Sequence, residues 1–303
     1  ASGKDNVAFC GYHGWHDWYL ATNIKSKKNL NQHLLKGIQT KGVPSNLKGS
    51  IFPFEYNNFN QLKNLIKKNK IGVICMEVMR NDYPKDNFLQ KVRQIANKNN
   101  IVLIFDECTS GFRKNFGGLH LHFKVNPDIA IFGKALGNGY AITSIIGKRN
   151  IMETAQKSFI SSTFWTERIG PAAAIETLNQ MKKLKSWKII DSNGKYIIKK
   201  WKYLAKKYDL QLEVKGLPAL CSFLFKSKNN DKYKALITQE LLKKGFLASN
   251  TVYSSIAHKR YIVDKYLEEL EKVFLKIQNC ENGQNINKYL NFGTPQKKFE
   301  RMN

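Results

Sequence analysis

Ile101-Val102-Leu103-Ile104-Phe105-Asp106-Glu107 runs through five apolar residues and stops on two acids. A short continuous apolar run of this kind marks a strand covered on both faces, as in a parallel sheet. Ile71-Gly72-Val73-Ile74-Cys75-Met76 upstream and Ile129-Ala130-Ile131-Phe132 downstream repeat the pattern, and Thr143-Ser144-Ile145-Ile146-Gly147 follows as a fourth strand. Between them the apolar period changes to that of a helix. Residues 60–69 place Leu62, Leu65 and Ile66 on one face, and Phe88, Leu89, Val92 and Ile95 share the inner face of a helix that Asp86 is placed to cap. Strands alternating with helices predict an α/β domain with a mainly parallel central sheet and helices on both faces.

Beyond Gly170-Pro171 the character changes. Helical periods at 172–184 and 195–207 lead to two strands at 210–214 and 219–225, then helices at 233–244 and 259–277. The division expected is a large α/β domain over 1–178, a smaller C-terminal α+β domain over 179–278, and a loosely held polar tail over 279–303.

The chain has 303 residues, 42% of them hydrophobic, enough for an ordinary buried core. Lys and Arg total 50 against 23 acids, a net charge of +27. An excess of this size first suggests a polyanion partner. However, it consists of 43 Lys and only 7 Arg, and residues 1–178 (+12) and 179–303 (+15) share it evenly. With 30 Asn and 27 Ile alongside, it reads as a composition bias, and no nucleic-acid partner is expected. Cys10, Cys75, Cys108, Cys221 and Cys280 are odd in number and contain no CxxC pair, as expected of reduced thiols in a cytoplasmic protein. No apolar run approaches the roughly 18 residues of a membrane helix. The first residues, Ala1-Ser2-Gly3-Lys4-Asp5, are polar and lack Met, as a processed chain or a fragment would begin.

Polar residues just past buried strands are the candidates for chemistry, because ligands of open α/β sheets bind outside the carboxyl ends of the strands. Asp106 and Glu107 end one such strand; the alternative to a ligand role is a helix cap or a structural ion pair. Lys134 follows another, within Gly133-Lys134-Ala135-Leu136-Gly137-Asn138-Gly139. Glycines permit close backbone approach to a ligand, and a desolvated lysine becomes a nucleophile; the alternative is one more solvated surface lysine. Gly11-Tyr12-His13-Gly14-Trp15-His16-Asp17-Trp18-Tyr19 is the densest aromatic and imidazole cluster. It suits stacking on a planar cofactor. His13 and His16, with His120 and His122, also leave open a metal-dependent hydrolase, although the glycines favour a loop.

Taken together, Tyr12-His13-Gly14, Met76-Glu77, Phe105-Asp106-Glu107-Cys108-Thr109-Ser110-Gly111-Phe112-Arg113, Pro127-Asp128, Gly133 through Gly139 and Ser162-Thr163-Phe164 resemble the class-III pyridoxal-phosphate aminotransferases in order and spacing. Gly42-Val43-Pro44 and Tyr12-His13-Gly14-Trp15-His16-Asp17 resemble the glutamate-1-semialdehyde 2,1-aminomutase branch in particular. The resemblance implies the fold type I of pyridoxal-phosphate-dependent transferases, pyridoxal 5′-phosphate as cofactor, and amino-group transfer between small molecules. Lys134 is the implied Schiff-base and proton-shuttling lysine, and Asp106 the implied partner of the ring nitrogen. Tyr12 and Cys108 are implied on the two ring faces, with His13 beside them. Thr109 is implied near the ring hydroxyl, Thr163 at the phosphate of a neighbouring subunit in a homodimer with shared sites, and Glu77 at the substrate.

Three departures accompany the resemblance. Val78 stands where the family has Pro, Trp165-Thr166-Glu167-Arg168 replaces the usual Asn-Pro, and the family's N-terminal segment, with its phosphate loop, is expected upstream of Ala1. A chain lacking that segment is expected to bind cofactor poorly. A basic binding module is the non-enzymatic alternative.

Overall fold

The computed structural model describes residues 1–26, 29–30 and 38–291, which form two compact units, Ala1–Lys182 and a second beginning at Lys183. In the first unit β1 (Asn6–Cys10), β2 (Ile51–Pro53), β3 (Ile71–Glu77), β4 (Val102–Asp106), β5 (Ile129–Phe132) and β6 (Ser144–Gly147) build one sheet in the order β2-β1-β3-β4-β5-β6. The pairs from β2 to β5 are parallel, and β6 runs antiparallel to β5. The mainly parallel α/β class expected from the apolar runs is the class the chain adopts.

Short helical turns α1 (Asp17–Leu20) and α2 (Thr22–Lys25) follow β1, α3 (Phe59–Lys68) precedes β3, and α4 (Phe88–Lys98) connects β3 to β4. Asn58 caps α3 by accepting the Gln61 amide at 3.1 Å. Asp86 does not cap α4. The N-cap residue is Asn87, and it makes no side-chain cap bond. Asp86 and Asn87 are both left-handed, at φ +49° and +55°, so the chain turns into the helix through backbone geometry, with Phe88 N–H bonded to the Lys85 carbonyl.

The two faces of the sheet differ. Ala8, Ile74, Met76, Leu103, Phe105 and Ala130 are buried, whereas Val73, Ile104 and Ile131 are half-buried and floor a cavity. Successive side chains alternate across a strand, so one apolar run supplies core to one side and a cavity floor to the other.

After α5 (Arg149–Met152), α6 (Ile169–Leu184) carries the chain across the boundary. In the second unit α7 (Ser186–Lys207), α8 (Asn230–Leu242) and α9 (Arg260–Glu281) accompany the antiparallel sheet β7 (Leu212–Lys215), β8 (Leu220–Phe225) and β9 (Thr251–Tyr253). Trp201, Phe223, Tyr233 and Phe274 are the largest fully buried side chains of its core. The Pro218 carbonyl lies so close to α7 that a Cβ on Gly194 would stand 1.7 Å from its oxygen. Ile286 is buried and Tyr289 and Leu290 pack against the same core. Residues 279–291 are thus held by apolar contacts, contrary to the loosely held tail expected; 292–303 lie outside the described residues. Among the described residues no helix is long and apolar enough to cross a membrane.

Candidate active site

The carboxyl ends of β3 and β4, the loop after β1 and the turn after β5 line a cavity of about 550 Å³. Parallel register sets Glu77 directly beside Asp106, and both side chains reach this cavity. The next residue, Glu107, is fully buried and turned elsewhere. Its carboxylate accepts the Ser110 hydroxyl at 2.6 Å and both the backbone N–H and the Nδ1–H of His120 at 2.8 Å. Of the two strand-end acids, Asp106 faces the cavity, and Glu107 is the structural anchor of the loop that follows.

Asp106 is held by the loop after β1. His13 Nδ1–H donates to its Oδ2 at 2.9 Å, and the Cys108 amide donates to Oδ1 at 3.0 Å. The second ring nitrogen of His13 lies 3.1 Å from the Cys10 carbonyl, which only accepts. Each imidazole nitrogen therefore faces an acceptor, and the ring is protonated. Burial opposes that charge, but Cys75 and the hydrogen bond and charge of Asp106 outweigh it, and the His13 pKa lies well above its ordinary value. Burial likewise opposes the Asp106 charge, and His13 and the Cys108 amide override it, leaving the carboxyl below its usual range. The pair is nearly enclosed, with side chains 3% and 15% exposed.

Glu77 is different. Burial raises its pKa, against the opposing charges of Arg80 and His13. Arg80 donates to Oε1 at 3.0 Å and the Tyr12 amide to Oε2 at 3.4 Å. Gly11, at φ +105°, permits this approach: a Cβ there would stand 2.7 Å from Glu77 Oε2. Tyr12 lines the cavity, and its ring lies 4.8 Å from that of the exposed Trp15 between centroids. Cys108 also lines the cavity, its thiol pushed up to about 12, first by burial and then by the Asp106 charge.

Lys134 enters from β5 through Gly133 and opens a 3₁₀ turn, Lys134–Leu136. Its φ of +43° is a left-handed conformation that non-glycine residues adopt at a cost. The turn closes because Gly137 lacks a Cβ, which would stand 2.1 Å from the Tyr140 carbonyl. Lys134 Nζ donates to Thr109 Oγ1 at 3.0 Å. A second cavity, of about 930 Å³, shares Lys134 and is lined by Tyr140, Ser162, Trp165 and Glu167 among others. Glu167 accepts the amides of Ile169 and Gly170 at 2.6 and 3.3 Å and thereby caps α6.

The fold thus brings Tyr12, His13, Glu77, Asp106, Cys108, Thr109 and Lys134 to one cavity from four separate chain segments. Thr163 is exposed in the 3₁₀ turn Thr163–Thr166 and lines neither cavity. Trp18, from the aromatic cluster, also lines the cavity, and Cys75 and Arg80 are site neighbours that no motif marks. For Cys75 the signal existed: it is two residues from Glu77 on one strand and so shares its face. His16 donates to the His13 carbonyl at 2.7 Å. Among the described residues no group of three or more His, Cys, Asp or Glu is placed to hold a metal ion.

The chain is 31% identical over 277 residues to the 3-aminobutyryl-CoA aminotransferase of Cloacimonas acidaminovorans, covering 88% of this chain but 62% of that one. It is 29% identical to the glutamate-1-semialdehyde 2,1-aminomutase of Methanocaldococcus jannaschii, covering 89% of this chain and 68% of the relative. In structure it resembles the FumI protein of Sphingopyxis sp. MTA144 (TM-score 0.81, 19% identity, 95% of this chain and 68% of that one). It also resembles an omega-transaminase from Sphaerobacter thermophilus (TM-score 0.77, 18% identity, 92% and 69%). The profile of class-III aminotransferases matches residues 7–277. With that match running through both units, the chain belongs to the class-III aminotransferase family.

Proposed function

We propose that this chain carries the active site of an enzyme that moves an amino group with pyridoxal 5′-phosphate. The observation that carries this reading is the convergence of the Lys134 amine and a charged Asp106 carboxylate on one cavity with an apolar floor. The donor set fits the cofactor's ring. Asp106 offers a carboxylate to a pyridine nitrogen, Thr109 a hydroxyl to a ring oxygen, Lys134 an amine to an aldehyde, and Tyr12 and Cys108 surfaces for the two ring faces. The phosphate is served less well within the chain, since Lys134 is the one Lys or Arg among the cavity's described lining residues. Thr163, exposed and apart, is suited to reach the phosphate of a second copy in a homodimer.

When bound, pyridoxal 5′-phosphate supplies a ring that accepts electrons from the carbon bearing the amino group. Asp106, kept ionised by His13, holds a proton at the ring nitrogen. Lys134 moves a proton at the reacting carbon, and Tyr12 with the apolar floor excludes water. Amino-group transfer of this kind is the step shared by the two named relatives, whose acyl and semialdehyde substrates differ. Five cysteines without a disulfide suit a cytoplasmic enzyme.

The test is borohydride reduction in the presence of pyridoxal 5′-phosphate, followed by peptide mapping. The expected result is a phosphopyridoxyl group on Lys134. Label on another lysine, or spread over surface lysines, overturns the assignment.

A further inference from the structure

We infer that Thr109 is a positioning residue for the Lys134 amine, holding it at the cavity whenever the amine is free. The inference rests on the proposed role of Lys134 and adds a partner for that residue's uncombined state. Lys134 Nζ donates to Thr109 Oγ1 at 3.0 Å. Thr109 is 9% exposed, and its loop is fastened at both ends. The Glu107 amide bonds the Ile131 carbonyl, the Gly111 amide bonds the Glu107 carbonyl, and the Glu107 carboxylate ties Ser110 and His120. The acceptor is thus set on rigid backbone, while the donor is a four-carbon side chain with many rotamers.

The backbone at Lys134 points the same way. A left-handed lysine between a buried Gly133 and a Gly137 that admits no Cβ fixes where the side chain leaves the turn. Strain of this kind persists only where the surroundings over-determine it. Fixed root and fixed acceptor together confine the amine to the rim where Asp106 and Cys108 also lie. A lysine released from a covalent partner would otherwise swing into the adjoining 930 Å³ cavity and lose its alignment.

The contact is testable without cofactor. Trace acetylation with acetic anhydride, read by mass spectrometry of the Lys134 peptide against surface lysines, reports how freely the amine reacts. Thr109→Val should raise Lys134 labelling roughly 3- to 10-fold, the span of one net hydrogen bond, and Thr109→Ser should return it to the wild-type level. Unchanged labelling in Thr109→Val, or Ser behaving like Val, overturns the inference.

A second measurement separates it from direct cofactor contact. Affinity for pyridoxal 5′-phosphate is measured by fluorescence quenching in wild type, Thr109→Val, Lys134→Ala and the double variant. If Thr109 acts through the lysine as well as at the ring oxygen, the effect of Val on binding differs between wild type and Lys134→Ala by about the strength of one hydrogen bond. Equal loss in both backgrounds assigns Thr109 to the cofactor and sinks the positioning role. If Lys134→Ala binds as wild type does, the lysine assignment itself fails, whatever the labelling shows.

Discussion

Replacing His13 by Gln keeps a hydrogen-bonding side chain beside Asp106 and removes the positive charge. The pair is nearly enclosed and its bond is 2.9 Å long. A hydrogen bond to a charged partner contributes about 1.5–3 kcal/mol, and breaking a buried pair costs about 3–5 kcal/mol when the remaining charge is stranded. Asp106 keeps the Cys108 amide and some access to the cavity, so the expected loss is about 2–4 kcal/mol. The loss depends on pH in a defined direction. The folded His13 pKa lies well above 6.5, so its stabilisation is complete below about 6.5 and disappears as pH rises through the folded value. The folded Asp106 pKa lies below 3.8, so its contribution is present above about 3.9 and disappears as pH falls through the lower folded value. The gap between wild type and His13→Gln in urea unfolding should be largest between about pH 4 and 6.5 and should narrow in alkali. A gap under about 0.5 kcal/mol, or one that is flat with pH, would refute the pairing. So would strict additivity with Asp106→Asn, because two groups in direct contact should couple by about 0.5–3 kcal/mol.

Asp106→Asn should preserve the fold and cofactor uptake while reducing turnover roughly 100-fold or more, since a neutral amide does not hold the ring-nitrogen proton; near-normal turnover in a steady-state assay would reassign that role. Gly194→Ala drives a Cβ into the Pro218 carbonyl, both backbone-bound, and should cost about 1–3 kcal/mol, seen as a lower melting temperature of the second unit by calorimetry. Thr163→Ala should weaken cofactor affinity by about 1–3 kcal/mol. If the proposed homodimer shares its sites, mixing Thr163→Ala and Lys134→Ala subunits gives a dimer with one site carrying both defects and one carrying neither, so activity should exceed the parental average. No recovery under demonstrated subunit exchange would end the shared-site reading.

Much of the architecture was legible in the residues. The cores of β3, β4 and β5 stand out as apolar runs because apolar side chains serve both faces of these strands, the packed core on one and the cavity floor on the other. Helices α3 and α4 show their inward faces by period. The resemblance of the Asp106 and Lys134 segments to one family pointed to a candidate site, and both segments line one cavity. Other elements left no local mark. β1 is five residues long and β2 and β9 three each, too short for a period to show. The antiparallel direction of β6 is a property of its pairing with β5, not of its own residues.

The partnerships within the site belong to the tertiary structure for the same reason. Residue type alone left Asp106 and Glu107 equivalent. They differ because strand alternation aims one into the cavity and the other beneath the next loop, where Ser110 and His120 meet it. The charge of His13 depends on the Cys10 carbonyl and on Asp106, which lies 93 residues away in sequence. The Lys134 amine finds Thr109 across 25 residues. Composition and periodicity report what each segment buries, because burial follows from a residue's own chemistry. Protonation states and hydrogen-bond partners follow from distances between segments, and these distances exist only once the chain has folded.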